Sequence, residues 1–379
     1  MNRREFLGAM AVTPIAVRGL HAAASRTFEI VTKIDLEESH EAGVAWIPLP
    51  LKRTAPFQVD RGHTVAGNAD KTRVEVLAGS NAAVLVAEWG HMMPPPTVTV
   101  TMRVETMEYS VPLKAPNGAK RSAELDAYLK PTKLIPLDGI VKQTSDAITK
   151  GRASDLAKAR AIYDWIIENT VRDPDVKGCG LGDIRGMLEM KNLSGKCADL
   201  NALFVGLARA AGLPARDLYG LRVAPSSQFP SLGRAGGNVT TAQHCRAEVW
   251  ADNFGWIPVD PADVRKLILE EKKPSLVDPD VVTAREKLFG SWEMNWIAFN
   301  DAHDVALPGS TGRQLPFLMY PQAEVGGARL DSLAPETFRY TITAREVWSP
   351  ASIIPGACSR DAPTTAATSA AINGTVMPA

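Results

Sequence analysis

The segment from Ser194 to Gly220 places a cysteine at the first turn of an apolar-striped helix, and this constrains the fold more than any other stretch. After Cys197, apolar residues recur at helical spacing: Leu200, Leu203, Phe204, Leu207 and Ala211. Gly212 and Pro214 then end the pattern in the order typical of a helix C-terminus. Because Cys197 falls on the apolar stripe, we expect its side chain to face whatever packs on the helix.

Two later segments read as paired strands. QHCRAEVWAD carries His244 near its start, and GWIPVD ends on Asp260. Asn253 and Gly255 bound a tight turn between the segments, which predicts a β-hairpin. That pairing would bring His244 and Asp260 together.

These three residue types suit covalent catalysis by a thiol. A neutral thiol is a poor nucleophile, but the unpaired N–H groups and dipole of a helix N-terminus favour the thiolate. His244 can act as base and then acid, and Asp260 can accept from the other ring nitrogen and fix the tautomer. Cys197, His244 and Asp260 are therefore the predicted catalytic residues, and the N–H of Cys197 is one natural oxyanion donor.

The motifs resemble those of the transglutaminase-like superfamily. From Gly195 to Arg216 the chain reads G-K-C-A-D-L-N-A-L-F-V-G-L-A-R-A-A-G-L-P-A-R, similar to the family's G-x-C-x-D-x-A-x-L-F-x-x-L-x-R-x-x-G-I-P-A-R. H-C-R-A-E-V-W and G-W-I-P-V-D-P resemble its histidine and aspartate motifs, although Arg246 stands where the family usually has Trp. The resemblance covers roughly residues 155–265. It implies a papain-like α+β fold and acyl transfer through a cysteine thioester.

The resemblance leaves the reaction open. Eukaryotic members crosslink glutamine to lysine with calcium, whereas bacterial relatives are more often peptidases or amidases. We expect hydrolysis of a peptide or protein substrate through a thioester on Cys197. A transglutaminase-type transfer to an amine and a non-catalytic envelope scaffold or binding protein are the alternatives.

The other cysteines allow further interpretations. Cys197 and Cys245 could act as a redox pair, or could hold zinc together with His244, but no C-x-x-C motif supports a metal. Cys179 and Cys358 could form a disulfide, which sequence cannot decide. The acidic loop 173–183 lacks the spacing of an EF-hand, so we expect no metal and no cofactor.

The N-terminus has the form of a targeting segment. Arg3 and Arg4 precede Phe6 and Leu7 in a twin-arginine pattern, followed by a moderately apolar stretch and three alanines ending at Ala24. The apolar stretch is too short for a lasting membrane anchor. We predict export to the periplasm by the twin-arginine machinery with removal of residues 1–24.

The remaining chain divides by composition. Residues 25–114 alternate in hydropathy and predict a β-sandwich-like domain, and residues 115–136 form a proline-marked connector. Residues 137–345 predict the transglutaminase-like domain with a C-terminal β extension, and residues 346–379 a disordered tail. The formal net charge of zero gives no indication of nucleic-acid binding, and the oligomeric state stays open.

Overall fold

The computed structural model describes residues 25–347 of the 379-residue chain. The predicted signal segment, residues 1–24, and residues 348–379 of the predicted tail lie outside the described residues. The helices are α1 (Gly139–Thr149), α2 (Asp155–Asn169), α3 (Ile184–Glu189), α4 (Cys197–Ala210), α5 (Pro261–Glu270) and α6 (Pro279–Lys287). Two 3₁₀ turns span Ala123–Leu129 and Pro230–Leu232.

Twenty strands accompany these helices in the described part of the chain. The first seven are β1 (Ser25–Asp35), β2 (Gly43–Pro48), β3 (Gln58–Gly67), β4 (Lys71–Val76), β5 (Ala83–Trp89), β6 (Thr97–Met107) and β7 (Tyr109–Ser110). The central six are β8 (Val171–Arg172), β9 (Ser194–Gly195), β10 (Ala215–Arg222), β11 (Gly237–Asn238), β12 (Gln243–Ala251) and β13 (Gly255–Val259). The last seven are β14 (Ser291–Trp292), β15 (Trp296–Asn300), β16 (His303–Val305), β17 (Leu315–Phe317), β18 (Gln322–Val325), β19 (Ala328–Arg329) and β20 (Arg339–Val347).

The N-terminal strands build a sandwich of two five-stranded sheets, in agreement with the predicted architecture. One sheet has the order β11-β20-β1-β6-β3 and the other β19-β18-β2-β5-β4. Strict alternation along β6 buries Val98, Val100, Met102 and Val104, which share one apolar core with β2 and β5. The apolar residues at every second position of β6 therefore form part of the inner face of the sandwich.

Edge strand β3 has no clear strand pattern in its sequence. Most of its residues are exposed, and its sequence QVDRGHTVAG has little apolar alternation. It pairs with β6 from Gln58 to Gly67, with an irregularity between Asp60 and His63. A strand held mainly by backbone hydrogen bonds leaves a weak hydropathy signal.

The C-terminal strands are divided between the two regions. The prediction assigned them to an extension of the catalytic domain, and β15 does join the catalytic sheet beside β10. In contrast, β20 pairs with β1, with Thr27 opposite Val347 and Asp35 opposite Arg339, and β18 pairs with β2. Hydropathy predicts that a segment is a strand but not which open sheet edge receives it, so this pairing was decided by tertiary structure.

The central region has an antiparallel sheet of order β13-β12-β10-β15, with α4 packed on β12 and β10. Every residue of α4 from Cys197 to Arg209 is buried, since α1, α2 and α5 also contact this helix. The predicted apolar stripe covers only one side of α4, whereas the structure buries the helix on all sides. This arrangement is the papain-like α+β fold.

The predicted hairpin is formed by β12 and β13. Ala247 lies opposite Val259, and the chain reverses through Asn253 and Gly255, whose φ values are 70° and 80°. These positive φ values are adopted most readily by Asn and Gly. The register leaves Asp260 immediately beyond the end of β13.

Candidate active site

Cys197 is the first residue of α4, and Asp199 fixes the chain around it. One carboxylate oxygen of Asp199 accepts from the N–H of Lys196, and the other accepts from those of Leu181 and Gly182, all at 2.9 Å. A β-carbon at Gly180 would overlap this carboxylate, so a glycine is needed there for the loop to approach the helix. The bonds tie the helix start to a neighbouring loop and limit the movement of Cys197.

His244 and Asp260 form a buried pair. The distance from His244 Nε2 to Asp260 Oδ2 is 2.7 Å, and the two residues are 2% and 0% exposed. Asp260 Oδ1 also caps α5 by accepting from the N–H of Asp263 at 3.1 Å, and Asn201 Nδ2 lies 3.3 Å from the same oxygen. Because Nε2 is engaged with Asp260, Nδ1 is the ring nitrogen left for a thiol.

A second carboxylate and an arginine lie behind this pair. Asp263 Oδ1 is 3.5 Å from His244 Nε2 and 2.5 Å from an Nη of Arg222. Burial opposes ionisation of Asp263, but the nearby charges of Arg222, His244 and Lys266 together outweigh it and lower the pKa of this carboxyl below its usual range. Burial and the nearby Asp263 raise the pKa of Asp260. Burial and Arg222 act to lower the pKa of His244, yet Asp263 and Asp260 together raise it.

Cys197 has two further thiols near it. The Cys179 thiol donates to the backbone oxygen of Gln243 at 3.4 Å, and the Cys179 oxygen accepts from the N–H of Ala198 at 2.9 Å. Interactions with the Cys179 and Cys245 thiols, followed by His244, lower the pKa of Cys197 well below that of an ordinary thiol, against the effect of burial. This favours a thiolate beside an imidazolium.

Cys197 and His244 open onto one cavity of about 430 Å³. Cys179 and Gln243 also line it, whereas Asp260 lies behind His244 and does not. The structure therefore brings the three predicted residues into one constellation, with the sulfur and the imidazole facing the same space and the carboxylate behind the ring.

The sequence is similar to known proteins over the same region. Residues 142–261 match the model of the transglutaminase-like superfamily. An uncharacterized protein of Haemophilus influenzae is 37% identical over 319 residues, which cover 80% of this chain and 86% of that protein. The chain belongs to the transglutaminase-like superfamily.

Solved structures agree on the fold. A candidate cysteine protease from Cytophaga hutchinsonii superposes with a TM-score of 0.53 at 14% identity, covering 86% of this chain and 92% of that one. The periplasmic domain of TgpA from Pseudomonas aeruginosa matches at 15% identity, with a TM-score of 0.35, over 69% of this chain and 93% of its own. The first likeness supports the fold of this transglutaminase-like protein, and the second is too distant to carry an argument. Within residues 25–347, no helix combines the length and apolar character needed to cross a membrane.

Arg246, the departure from the superfamily motif, occupies an aromatic niche. Its guanidinium lies over the rings of Trp292 and Trp296, at 5.5 and 4.9 Å from their centroids, and an Nη donates to the backbone carbonyl oxygen of Glu293 at 3.1 Å. Its Nε is 3.8 Å from Asp260 Oδ2. Burial lowers the pKa of Arg246 to about 10. In this transglutaminase-like protein, the side chain next to the His244–Asp260 pair is thus a cation stacked on two tryptophans.

His244, Asp260 and Asp263 also form a possible metal-ligand group among the described residues, with ligand atoms within 4.8 Å of one another. Arg222 already neutralises Asp263, and Asp260 is engaged by His244 and by the N–H of Asp263. The three residues therefore form a hydrogen-bonded ion network whose positive charge comes from the protein itself. The group contains none of the cysteines considered for zinc.

Sequence reasoning missed the supporting groups. Arg222 ends β10 and Asp263 lies in the first turn of α5, and neither position carries a pattern that separates it from surface charge. Cys179 was considered for a disulfide with Cys358, but its thiol lies beside Cys197, and Cys358 is outside the described residues. Only the folded chain brings these segments together.

Proposed function

We propose that this protein is an exported cysteine-dependent acyl-transfer enzyme that hydrolyses peptide or amide bonds through a thioester on Cys197. The observation that carries the proposal is the shared cavity, in which a helix-borne thiol faces an imidazole backed by a carboxylate. The lowered pKa of Cys197 favours the thiolate, and the raised pKa of His244 favours the imidazolium. These are the protonation states that nucleophilic attack and proton transfer to the leaving group need.

The reaction proceeds in two halves. The Cys197 thiolate adds to the carbonyl carbon, and the His244 imidazolium gives its proton to the leaving nitrogen as the carbon–nitrogen bond breaks. This leaves a thioester and a neutral imidazole. The imidazole then takes a proton from water while the water oxygen adds to the thioester carbonyl. Breakage of the carbon–sulfur bond releases the acid and restores the thiolate and imidazolium.

The oxyanion needs donors in both halves. The N–H of Cys197 is at the helix start, where the first N–H groups have no partner within the helix. Gln243 precedes His244 on β12 and lines the same cavity, and its Nε2 is buried without a hydrogen-bond partner among residues 25–347. A buried unpaired donor is costly unless something else is gained. We therefore propose the Gln243 amide as the second oxyanion donor.

Turnover of defined peptides tests the proposal. The protein is incubated with a panel of short peptide amides, with and without a primary amine, and products are identified by mass spectrometry. Release of acid by the wild type but not by Cys197→Ala supports a hydrolase. Amine-containing products would instead establish the transferase alternative, and no product in any pairing would argue against an enzyme.

Alkylation separates the enzyme from a scaffold. An activated Cys197 reacts quickly with iodoacetamide at neutral pH, and His244→Ala slows the reaction. Reaction at the rate of an ordinary thiol, unchanged by His244→Ala, would favour the non-catalytic alternative. The Cys197 peptide is followed by mass spectrometry, so labelling of other cysteines does not interfere.

Export is a separate part of the proposal. It is supported by the twin-arginine pattern at Arg3 and Arg4, residues outside the described part of the chain. Cell fractionation tests it: the wild type should reach the periplasm, and replacement of both arginines by lysine should retain the protein in the cytoplasm. Equal periplasmic levels for both would refute this route.

A further inference from the structure

The cavity over Cys197 is lined by an unusual set of charges. Six of its side chains are cationic: Arg172, Lys177, Lys196, Arg222, Arg234 and Lys266. Among the described residues, no Asp or Glu lines it. The whole chain has a formal net charge of zero, so the cavity does not merely reflect a basic protein.

Carboxylates behind the cavity neutralise only part of this charge. Asp263 pairs with Arg222 at 2.5 Å, and Asp331 pairs with Lys177 at 2.6 Å. Glu270 is shared between Arg172 at 3.5 Å and Lys266 at 3.0 Å. Three carboxylates thus serve four of the six cations, so the cationic side chains of the cavity outnumber the carboxylates paired with them by three.

Lys196 and Arg234 have no ion-pair partner within residues 25–347. Lys196 adjoins Cys197, where a cation also favours the thiolate. Arg234 lies in the segment 225–240, which is rich in Gly, Ser and Pro, and it lines the cavity. In the described part of the chain, its guanidinium donates a side-chain hydrogen bond only to the hydroxyl of Thr241, at 3.4 Å. A guanidinium with free N–H groups is the side chain best shaped to bind a carboxylate through two hydrogen bonds.

Two of the cavity cations, Arg222 and Lys266, influence one another. Burial and the charge of Arg222 lower the pKa of Lys266, although Asp263 and Glu270 lie near. The cavity also contains an unpartnered polar atom besides Gln243 Nε2: the Tyr320 hydroxyl is buried with no hydrogen bond among the described residues. An anionic ligand would relieve the repulsion and could accept from this hydroxyl.

We infer that the site acts on acidic peptides, and that Arg234 receives a substrate carboxylate close to the scissile amide. This inference rests on the proposed function, because it names the substrate class of the same site. Arg222 supports His244 through Asp263, and Lys196 favours the Cys197 thiolate, whereas Arg234 selects the substrate. The occupant is a peptide because the nucleophile beside the cations acts on acyl groups.

The first test uses two alkylating reagents of similar size. Iodoacetate is an anion and iodoacetamide is neutral, so the ratio of their rates at Cys197 reports the charge of the cavity. The ratio is compared with that of 2-mercaptoethanol, a neutral free thiol. A unit charge about 8 Å away changes a rate by roughly two- to fivefold at an effective dielectric of about 40 to 80. We expect the ratio at Cys197 to exceed the reference about fivefold or more at low salt, and to fall as salt is added.

Variants assign the effect to Arg234. Arg234→Glu should lower the iodoacetate rate about fivefold and leave the iodoacetamide rate nearly unchanged, with Arg234→Gln in between. Lys71→Gln is the matched control, because Lys71 is an exposed cation on β4 that does not line the cavity. A ratio equal to that of the free thiol, or one that Arg234→Glu and Lys71→Gln change equally, overturns the inference.

The same reagents distinguish this failure from failure of the proposed function. His244→Ala should slow both reagents while keeping their ratio. If both reagents react slowly and His244→Ala has no effect, the proposed function fails whatever the ratio is. If His244→Ala slows both but the ratio is that of a free thiol, only the anionic substrate class fails.

Matched substrates complete the test. Two peptides that differ only by Glu or Gln next to the scissile amide are compared by kcat/KM. The Glu peptide should be preferred about fivefold or more, and Arg234→Gln should remove the preference mainly through KM. An equal kcat/KM for both peptides, or a preference for Gln, contradicts the inference.

Discussion

Two His–Asp pairs lie within residues 25–347, and only one of them faces a nucleophile. His244 and Asp260 are 2.7 Å apart, and His244 lines the cavity of Cys197. His303 Nε2 and Asp217 Oδ1 are 3.0 Å apart, and the second oxygen of Asp217 accepts from the Tyr219 hydroxyl at 3.2 Å. The cavity beside His303 is lined by no described cysteine.

The comparison separates the role of the pair from the role of its surroundings. A buried carboxylate needs a partner wherever it lies, and histidine meets this need in both places. The pair becomes a candidate site only where the start of α4 presents a thiol to the imidazole. A His–Asp contact by itself is therefore weak support for catalysis, and its position relative to a helix N-terminus is the informative part.

The largest expected effect comes from removing the sulfur. Cys197→Ala should reduce kcat by about 10⁴-fold or more, because no other group can form the thioester. The measurement is turnover of a peptide amide found in the panel. Cys245→Ala is the comparison variant, because Cys245 lowers the pKa of Cys197 but does not line the cavity and so cannot carry the thioester. It should keep most of the maximal rate. Comparable loss in both variants would show that the cysteines act through the core and not through the reaction.

Removing each histidine tests the comparison directly. His244→Ala should lower kcat/KM by about 10²–10⁴-fold, through loss of the acid and base. His303→Ala should leave kcat/KM within a fewfold of the wild type. Both variants leave a buried carboxylate without its partner, so each should lose about 1–3 kcal/mol of unfolding free energy in urea titrations. Equal activity losses would mean that the two His–Asp pairs have the same role.

Removing the proposed oxyanion donor should have a smaller effect. Gln243→Ala should reduce kcat about 10²-fold with little change in KM, since the amide acts on the transition state. Gln314→Ala, at an exposed glutamine, should have no effect. A loss confined to KM would instead make Gln243 a substrate-binding residue.

The pH dependence of alkylation should show the smallest effect. The pKa of Cys197 is lowered and that of His244 is raised, so the thiolate–imidazolium pair is populated between the two values. Iodoacetamide should therefore react with Cys197 well below the usual thiol pKa of about 8.5. His244→Ala should move the apparent pKa upward, while His303→Ala should leave it in place. A Cys197 profile that follows an ordinary thiol would contradict the ion pair.

Some predictions from the sequence hold because they depend on local pattern. The start of α4 at Cys197 and the hairpin between β12 and β13 both follow from neighbouring residues. The hydropathy pattern does not predict strand β3, because this strand is held by backbone pairing with β6 and not by an apolar face.

The sequence by itself determined most of the helices and strands, the family and the candidate residues Cys197, His244 and Asp260, because each of these residues lies in a motif whose spacing sets its position within a helix or hairpin. Only the tertiary structure decided that β20 pairs with β1, that Arg222 and Asp263 support His244, and that six cations surround Cys197. These contacts join segments far apart in the chain. Their energies come from burial and charge proximity, which exist only once the whole chain has packed.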